Sequence, residues 1–141
     1  MKKILLGLIL SLFCFNGVAQ DPDPELFGTW YLYYYEESDL GSNWDISEMD
    51  PPITPYINIS KNLSFNGEGA GNTYNGTYEF SETNVLTATS FNQTTNDCEP
   101  HNPFENSFFS TMHYYWYNIN QDNDGLFCIY SLALQKSRKF P

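Results

Sequence analysis

From Phe65 to Phe80 the chain reads FNGEGAGNTYNGTYEF, with Tyr74, Tyr78 and Phe80 on one phase and Asn75, Thr77 and Glu79 on the other. Alternation with period two marks a half-buried strand. The glycines of the stretch (Gly67, Gly69, Gly71, Gly76) read as turn formers, where the backbone bends tightly. The same reading places a first strand over Leu26–Glu36, with Gly28, Trp30, Leu32 and Tyr34 on one face and Thr29, Tyr31, Tyr33 and Tyr35 on the other. Glu37–Pro55 is polar, ends in three prolines and reads as a long loop. Ile57 and Ile59 mark a second strand, Lys61-Asn62 a turn, and Leu63 with Phe65 the start of a third. Thr73–Phe80 is the fourth, and Ser81–Asn84 turns into a fifth over Val85–Phe91.

After an irregular stretch the period changes. Asn102 followed by Pro103 is a helix-start signal, an N-cap with proline at the first helical position. Phe104, Phe108 and Met112, widened by Phe109, give an apolar stripe at helical spacing over 103–112. Two strands, His113–Asn120 and Gly125–Gln135, follow and meet at the hairpin signal Asp124-Gly125. The prediction is a mainly β fold: a barrel-like antiparallel sheet of seven to eight strands with one short helix, in one domain over 26–135.

The ends add a compartment. Lys2 and Lys3, the apolar run Ile4–Phe15 and the small residues Gly17-Val18-Ala19 form a secretory signal over 1–19, too short to span a bilayer. Phe13 directly precedes Cys14 and Phe15 follows it, where a lipid-anchored cysteine calls for small residues, which argues against a lipid anchor. Residues 20–25 are an acidic, proline-rich leader, and 136–141 a basic tail. The whole chain has a net charge of −11. Without the signal, four basic residues face 17 acidic ones, a balance of −13. Such a surface repels nucleic acid and anionic lipid, so neither is an expected partner, and no membrane insertion is expected after signal cleavage. The protein is expected in the periplasm or outside the cell.

Chemistry is sparse. Cys98 and Cys128 survive signal removal into an oxidising compartment, and an even pair there favours a disulfide. A helix packed over the sheet would bring them together, closing a loop of about 30 residues worth roughly 3–4 kcal/mol. Asn120-x-Asp122-x-Asp124-Gly125 matches the first half of a calcium loop, but position twelve is Ser131 and not an acid, so a hairpin turn is the better reading. Cys98, His101, His113 and Cys128 fit no common zinc spacing. No cofactor or metal is expected, and no catalytic residue is assigned. His113 with Ser107, Ser110 and Thr111 nearby leaves a small hydrolase as the alternative, although no nucleophile elbow or triad signature surrounds it. Trp30, Tyr31, Tyr33, Tyr35, Tyr115 and Trp116 are the rings to consider for an apolar or sugar ligand, with core packing the competing role.

The order of these pieces resembles the META/HslJ-like domain of exported bacterial envelope proteins. The resemblance is carried by Gly67-x-Gly69-x-x-Asn72-x-Tyr74-x-Gly76, then Thr94 or Thr95 ahead of Cys98, then Glu105 on the aromatic helix, with Trp30 as the opening tryptophan. Gly28-x-Trp30 is also similar to a lipocalin opening, and the signal ending resembles Bacteroidota exports. Relatives place cysteine directly before the asparagine, where this chain has Gly71. If that cysteine pairs with the one before the helix, Cys98 has lost its partner here. Cys128 then replaces it, or both stay free thiols. A bacterial source also sets aside the four Asn-x-Ser/Thr triplets at Asn58, Asn62, Asn75 and Asn92. The resemblance implies a non-enzymatic envelope domain with a binding or structural role, its partner a small ligand or another envelope protein.

Overall fold

The computed structural model describes residues 22, 24–37, 42–80, 85–114, 117–118, 120–121, 126–129 and 132–135. The signal, half of the acidic leader (20, 21 and 23) and the basic tail lie outside them. The elements are β1 (Gly28–Glu37), β2 (Ser42–Asp45), β3 (Tyr56–Ile59), β4 (Ser64–Glu68), β5 (Thr73–Phe80), β6 (Val85–Gln93), α1 (Asn102–Tyr114), β7 (Tyr117–Asn118), β8 (Asn120–Gln121), β9 (Leu126–Ile129) and β10 (Leu132–Gln135). All strands join one ten-stranded sheet in the order β7-β6-β5-β4-β3-β1-β10-β9-β8, with β2 on the side of β1. Its two ends, β7 and β8, are one residue apart in the chain, so the sheet curls until its edges meet covalently. The expected class holds. The strand number exceeds seven to eight because short segments pair as well.

Register explains the core. Across β1, β3, β4 and β5, Trp30, Ile57, Gly67 and Tyr74 stand opposite one another and face inward. In the next inward row, Ile59, Phe65, Gly76 and Phe91 align across β3 to β6. A Cβ on Gly67 would overlap the Tyr56 carbonyl oxygen and stand 2.6 Å from the Tyr74 ring. One on Gly76 would overlap Ser90 O and stand 2.5 Å from Phe65 Cζ. These two glycines therefore make room for rings crossing the sheet and do not form turns, as the sequence reading had them. Phe65 then stacks on Tyr78 with centroids 4.2 Å apart.

Helix α1 lies over this interior, and the predicted stripe is its buried face: Phe104, Phe108, Phe109 and Met112 are each no more than 3% exposed. Burial of each such side chain contributes about 1.5–3 kcal/mol. Tyr74 meets Phe109 at 5.0 Å and Phe108 edge-on at 5.9 Å. The helix is longer than expected and takes in His113. The first helical hydrogen bond runs from Glu105 N to His101 O, so His101 caps the helix and Pro103 is at its second position.

Three further corrections have physical causes. The pairing of β1 with β10 shifts register between Leu32 and Tyr34, so the core phase of β1 runs Trp30, Leu32, Tyr35 instead of reaching Tyr34. Within the expected 37–55 loop, β2 pairs with β1, and Trp44 stacks on Tyr35 at 5.1 Å and 7°. Ser-Asn-Trp-Asp has little strand propensity, so tertiary packing decides. The expected single strand Gly125–Gln135 is a hairpin, β9 and β10, with Leu132 opposite Ile129. Strands β8 and β9 pair antiparallel around Asp124-Gly125, as the hairpin signal required, although 122–125 themselves are outside the described residues. Among the described residues no helix is long and apolar enough to cross a membrane.

A buried carboxylate and the trough beside it

The turn between β4 and β5, residues 69–72, is closed by Gly69 N donating to Asn72 O at 2.8 Å. Its next three backbone N–H groups point to one place, and Glu105 from the first turn of α1 fills it. Ala70 N, Gly71 N and Asn72 N all donate to Glu105 Oε1, at 2.8, 2.9 and 2.9 Å. Successive backbone donors of this kind make an anion-binding concavity. Here the anion is the protein's own side chain, only 4% exposed.

The second oxygen is equally engaged. Glu105 Oε2 accepts from the Asn72 side-chain amide and from Cys98 Sγ, the latter at 2.7 Å. Asn72, 3% exposed, also donates to Asn96 O at 2.8 Å. Its Oδ1 accepts from Thr94 Oγ1 at 2.8 Å and Asn96 N at 2.7 Å. Cys98 N donates to Asn102 Oδ1 at 3.0 Å, and Asn102 Nδ2 donates to Asp97 Oδ1 at 2.7 Å and Glu99 Oε1 at 3.1 Å. His101 Nε2 meets Pro51 O at 2.7 Å, tying the proline segment to the start of α1. Among the described residues no buried side-chain nitrogen or oxygen lacks a partner.

Burial by itself would raise the Glu105 pKa. The hydrogen bonds from Asn72, Cys98 and the Gly71 and Asn72 backbone outweigh it and hold the carboxyl below its ordinary range. The thiol responds in the opposite sense: desolvation first, then its bond to Glu105 and that carboxylate's charge, push Cys98 up to about 11. At neutral pH the pair is a carboxylate and a thiol. An ionised acid with its oxygens occupied and a protonated cysteine are poorly suited to proton transfer or nucleophilic attack.

The outer wall of this cluster is open to solvent. A cleft of about 440 Å³ runs between residues 93–99 and α1, with Thr94, Asn96, Asp97, Asn102 and Asn106 on its sides. A second, of about 380 Å³, continues past Phe91 to Ser110 and His113. Both are lined by Gln93, Asn106 and Phe109, so they form one trough along α1. His113 stacks on Phe91 at 5.1 Å and 11°.

Of the rings singled out in the sequence, the four that are described do not gather at one site. Trp30 and Tyr35 are 2% and 1% exposed. Trp30 Nε1 donates to Leu26 O at 2.8 Å, and Gly28, at φ 126°, makes the bend before it. The Tyr35 hydroxyl shares hydrogen bonds of 2.7 Å with Ser107 and Thr111 on α1. Tyr31 and Tyr33 are half-buried, and Tyr31 stands 6.2 Å from Tyr56. Tyr115 and Trp116 lie outside the described residues. Cys98 is a free thiol here, and the expected bridge to Cys128 is not seen. Cys98 sits beside the 69–72 turn at the start of β5. Among the described residues no cluster of three or more potential metal ligands occurs.

Glu105 as the centre of the cluster had one readable signal. It falls on the apolar stripe of α1, between Phe104 and Phe108, where an unpaired acid would be costly.

The comparisons converge on this framework. The protein-family model of the META domain matches residues 37–130, which spans β2 to β9 and includes the 69–72 turn, Cys98 and Glu105. A solved NMR structure of a protein from Burkholderia xenovorans is similar in fold, with a TM-score of 0.61 at 16% identity, covering 89% of this chain and 97% of that one. No curated protein matches the chain. With two thirds of its length under one family model and the family's glycine–asparagine turn closed on the helix glutamate, the chain belongs to the META-domain family.

Proposed function

We propose that this protein is an exported, non-enzymatic β domain of the bacterial cell envelope, acting by binding or as a structural part. The META family fits a non-catalytic domain of this kind. The observation that carries the reading is the state of Glu105. The most deeply placed acid in the described chain accepts five hydrogen bonds and is committed to joining two loops to α1. The signal over 1–19 supports export.

Two measurements test it. Fractionation of cells should place the chain, shortened after Ala19, in the periplasm or medium; a full-length cytoplasmic product overturns export. A panel of esterase, glycosidase and peptidase substrates should give no turnover. His113 and Ser110 line the same cleft, so turnover abolished by His113→Ala would establish the hydrolase alternative and remove the binding-module reading.

A further inference from the structure

The outward face of the sheet carries a pattern that folding alone does not require. At one register level Thr29, Asn58, Asn66, Asn75 and Asn92 stand opposite one another across β1, β3, β4, β5 and β6. Asparagine is disfavoured in strands, yet it recurs at the same level in four adjacent ones. An ordinary solvated face in so acidic a chain would carry charge, and this row has none. Thr29 Oγ1 donates to Asn58 Oδ1 at 3.3 Å, and Asn58 Nδ2 to Asn66 Oδ1 at 3.4 Å. Both bonds are long, so their contribution to the sheet is small. The amides of Asn75 and Asn92 make no side-chain hydrogen bond among the described residues, and both are exposed.

The flanking rows extend the pattern. On one side Ser64, Thr77 and Ser90 align, with Thr77 and Ser90 hydroxyls 2.9 Å apart. On the other, Tyr31 and Tyr56 are paired on the same face, followed by Glu68 and Thr73. The face therefore presents hydroxyls, then amides, then two tyrosine rings, with Glu68 as the one charge in these three rows. Neighbouring strands repeat at about 4.8 Å, which sets an amide at each step.

We infer that this face is a binding platform for a neutral polysaccharide. A carboxamide offers a donor and an acceptor side by side, which suits the vicinal hydroxyls of a pyranose, and the half-buried rings of Tyr31 and Tyr56 offer apolar surface to its C–H face. The lack of charge selects against uronic-acid and sulfated polymers, which the acidic remainder of the surface would repel, and against cationic partners, which would need carboxylates here. The inference rests on the binding-module reading above and adds the place and the ligand class.

The test is affinity electrophoresis of the secreted chain in gels containing soluble β-glucan, xylan or galactomannan, with alginate as the anionic comparison. At least one neutral polymer should retard the protein and alginate should not. In the double variant Asn66→Ser, Asn75→Ser, exposed changes that add no charge between these register partners, two amide donors are lost and the dissociation constant for that polymer should rise about tenfold or more. Tyr31→Ala should weaken binding as well, with an unchanged melting transition of the double variant showing that the loss is local. Retardation by none of the neutral polymers overturns the inference, as does equal binding by the double variant. So does a dimer in sedimentation that the double variant dissolves, since the face would then be a contact between copies. Binding that survives the double variant but is lost in Asn106→Asp would move the site to the trough, leaving the binding-module reading intact and this one refuted.

Discussion

Removing the Glu105 carboxylate is the most informative perturbation of the fold, because the consequences differ by atom. In Glu105→Ala five donors lose their acceptor. Ala70 and Gly71 are exposed enough for water to replace it, and Cys98 Sγ can turn to Asn96 O, now 3.6 Å away. Asn72 cannot be rescued in this way. It is 3% exposed, and its backbone N–H is left without a partner. A buried donor left unsatisfied costs about 1–3 kcal/mol, and two charge-assisted bonds exchanged for water add about 1 kcal/mol each, so the loss should be about 3–5 kcal/mol. Glu105→Gln keeps one oxygen for the three backbone donors but sets its own N–H group against the Asn72 amide. That amide cannot simply flip, since its Oδ1 already accepts from Thr94 and Asn96. About 2 kcal/mol is expected.

The pH dependence gives a second, independent readout. The Glu105 pKa is depressed in the folded state. Its contribution is therefore present above the unfolded carboxyl value, near 4.5, and is lost as pH falls through the folded value. Urea unfolding followed by tryptophan fluorescence should show wild type well above Glu105→Gln at pH 7, with the gap closing as the pH falls below about 4. A Glu105→Ala protein within about 1 kcal/mol of wild type would refute the reasoning, as would a gap that does not change with pH.

Three other outcomes follow from the same geometry. A Cβ at position 71 would stand 3.0 Å from Cys98 Cβ and 3.8 Å from its Sγ, so Gly71→Cys should form a bridge, closing about 28 residues for a gain of up to about 3.5 kcal/mol, less the lost Cys98–Glu105 bond; three free thiols on titration of the oxidised, denatured mature variant, in place of the single Cys128 thiol, would contradict it. Gly76→Ala should cost more than about 3 kcal/mol or abolish folding, because the methyl would overlap Ser90 O; a cooperative transition close to wild type would refute the close-approach account. Cys98, raised to about 11, should react slowly with iodoacetamide at pH 7.5 and speed up as the pH rises through 9 to 11. Its linkage runs the same way: the stabilisation it gives is complete below the unfolded thiol value and disappears as pH climbs to the folded one. Rapid labelling at pH 7.5 would show that Glu105 does not hold the thiol protonated.

How much of this could be read from the chain depends on which interaction decides each element. The strand Thr73–Phe80 and the helix stripe at Phe104, Phe108 and Met112 are set by hydrophobic period, which is local and therefore visible. Ser42–Asp45 is a strand only because β1 offers an open edge and Tyr35 a ring for Trp44, information held some ten residues away. The hairpin between Ile129 and Leu132 lacks glycine, proline and asparagine at its turn, so it is hidden inside an apolar run. The glycines misled for a related reason. Gly67 and Gly76 look like turn residues, but their role is set by ring atoms from other strands. At the site, Asn72, Cys98 and Glu105 could be recognised as a family pattern, whereas their shared hydrogen bonds could not be read from spacings of 26 and 7 residues.

The cluster also bears on what the surface can do. Glu105 connects α1 to the 69–72 turn directly, and to residues 94–98 through Asn72 and Cys98. Those same residues form the wall of the trough, and the 69–72 turn sets where β4 meets β5. The outward asparagines of those two strands, Asn66 and Asn75, are opposite one another only at this register. A register slip by one residue would send Asn75 inward and Tyr74 to solvent. The buried carboxylate is thus a positioning device for two faces at once: it holds the helix that shapes the trough and helps fix the pairing that aligns the amide row. A domain organised in this way gives up its buried acid to rigidity, and the proposed recognition would come from neutral groups on the faces that acid holds in place.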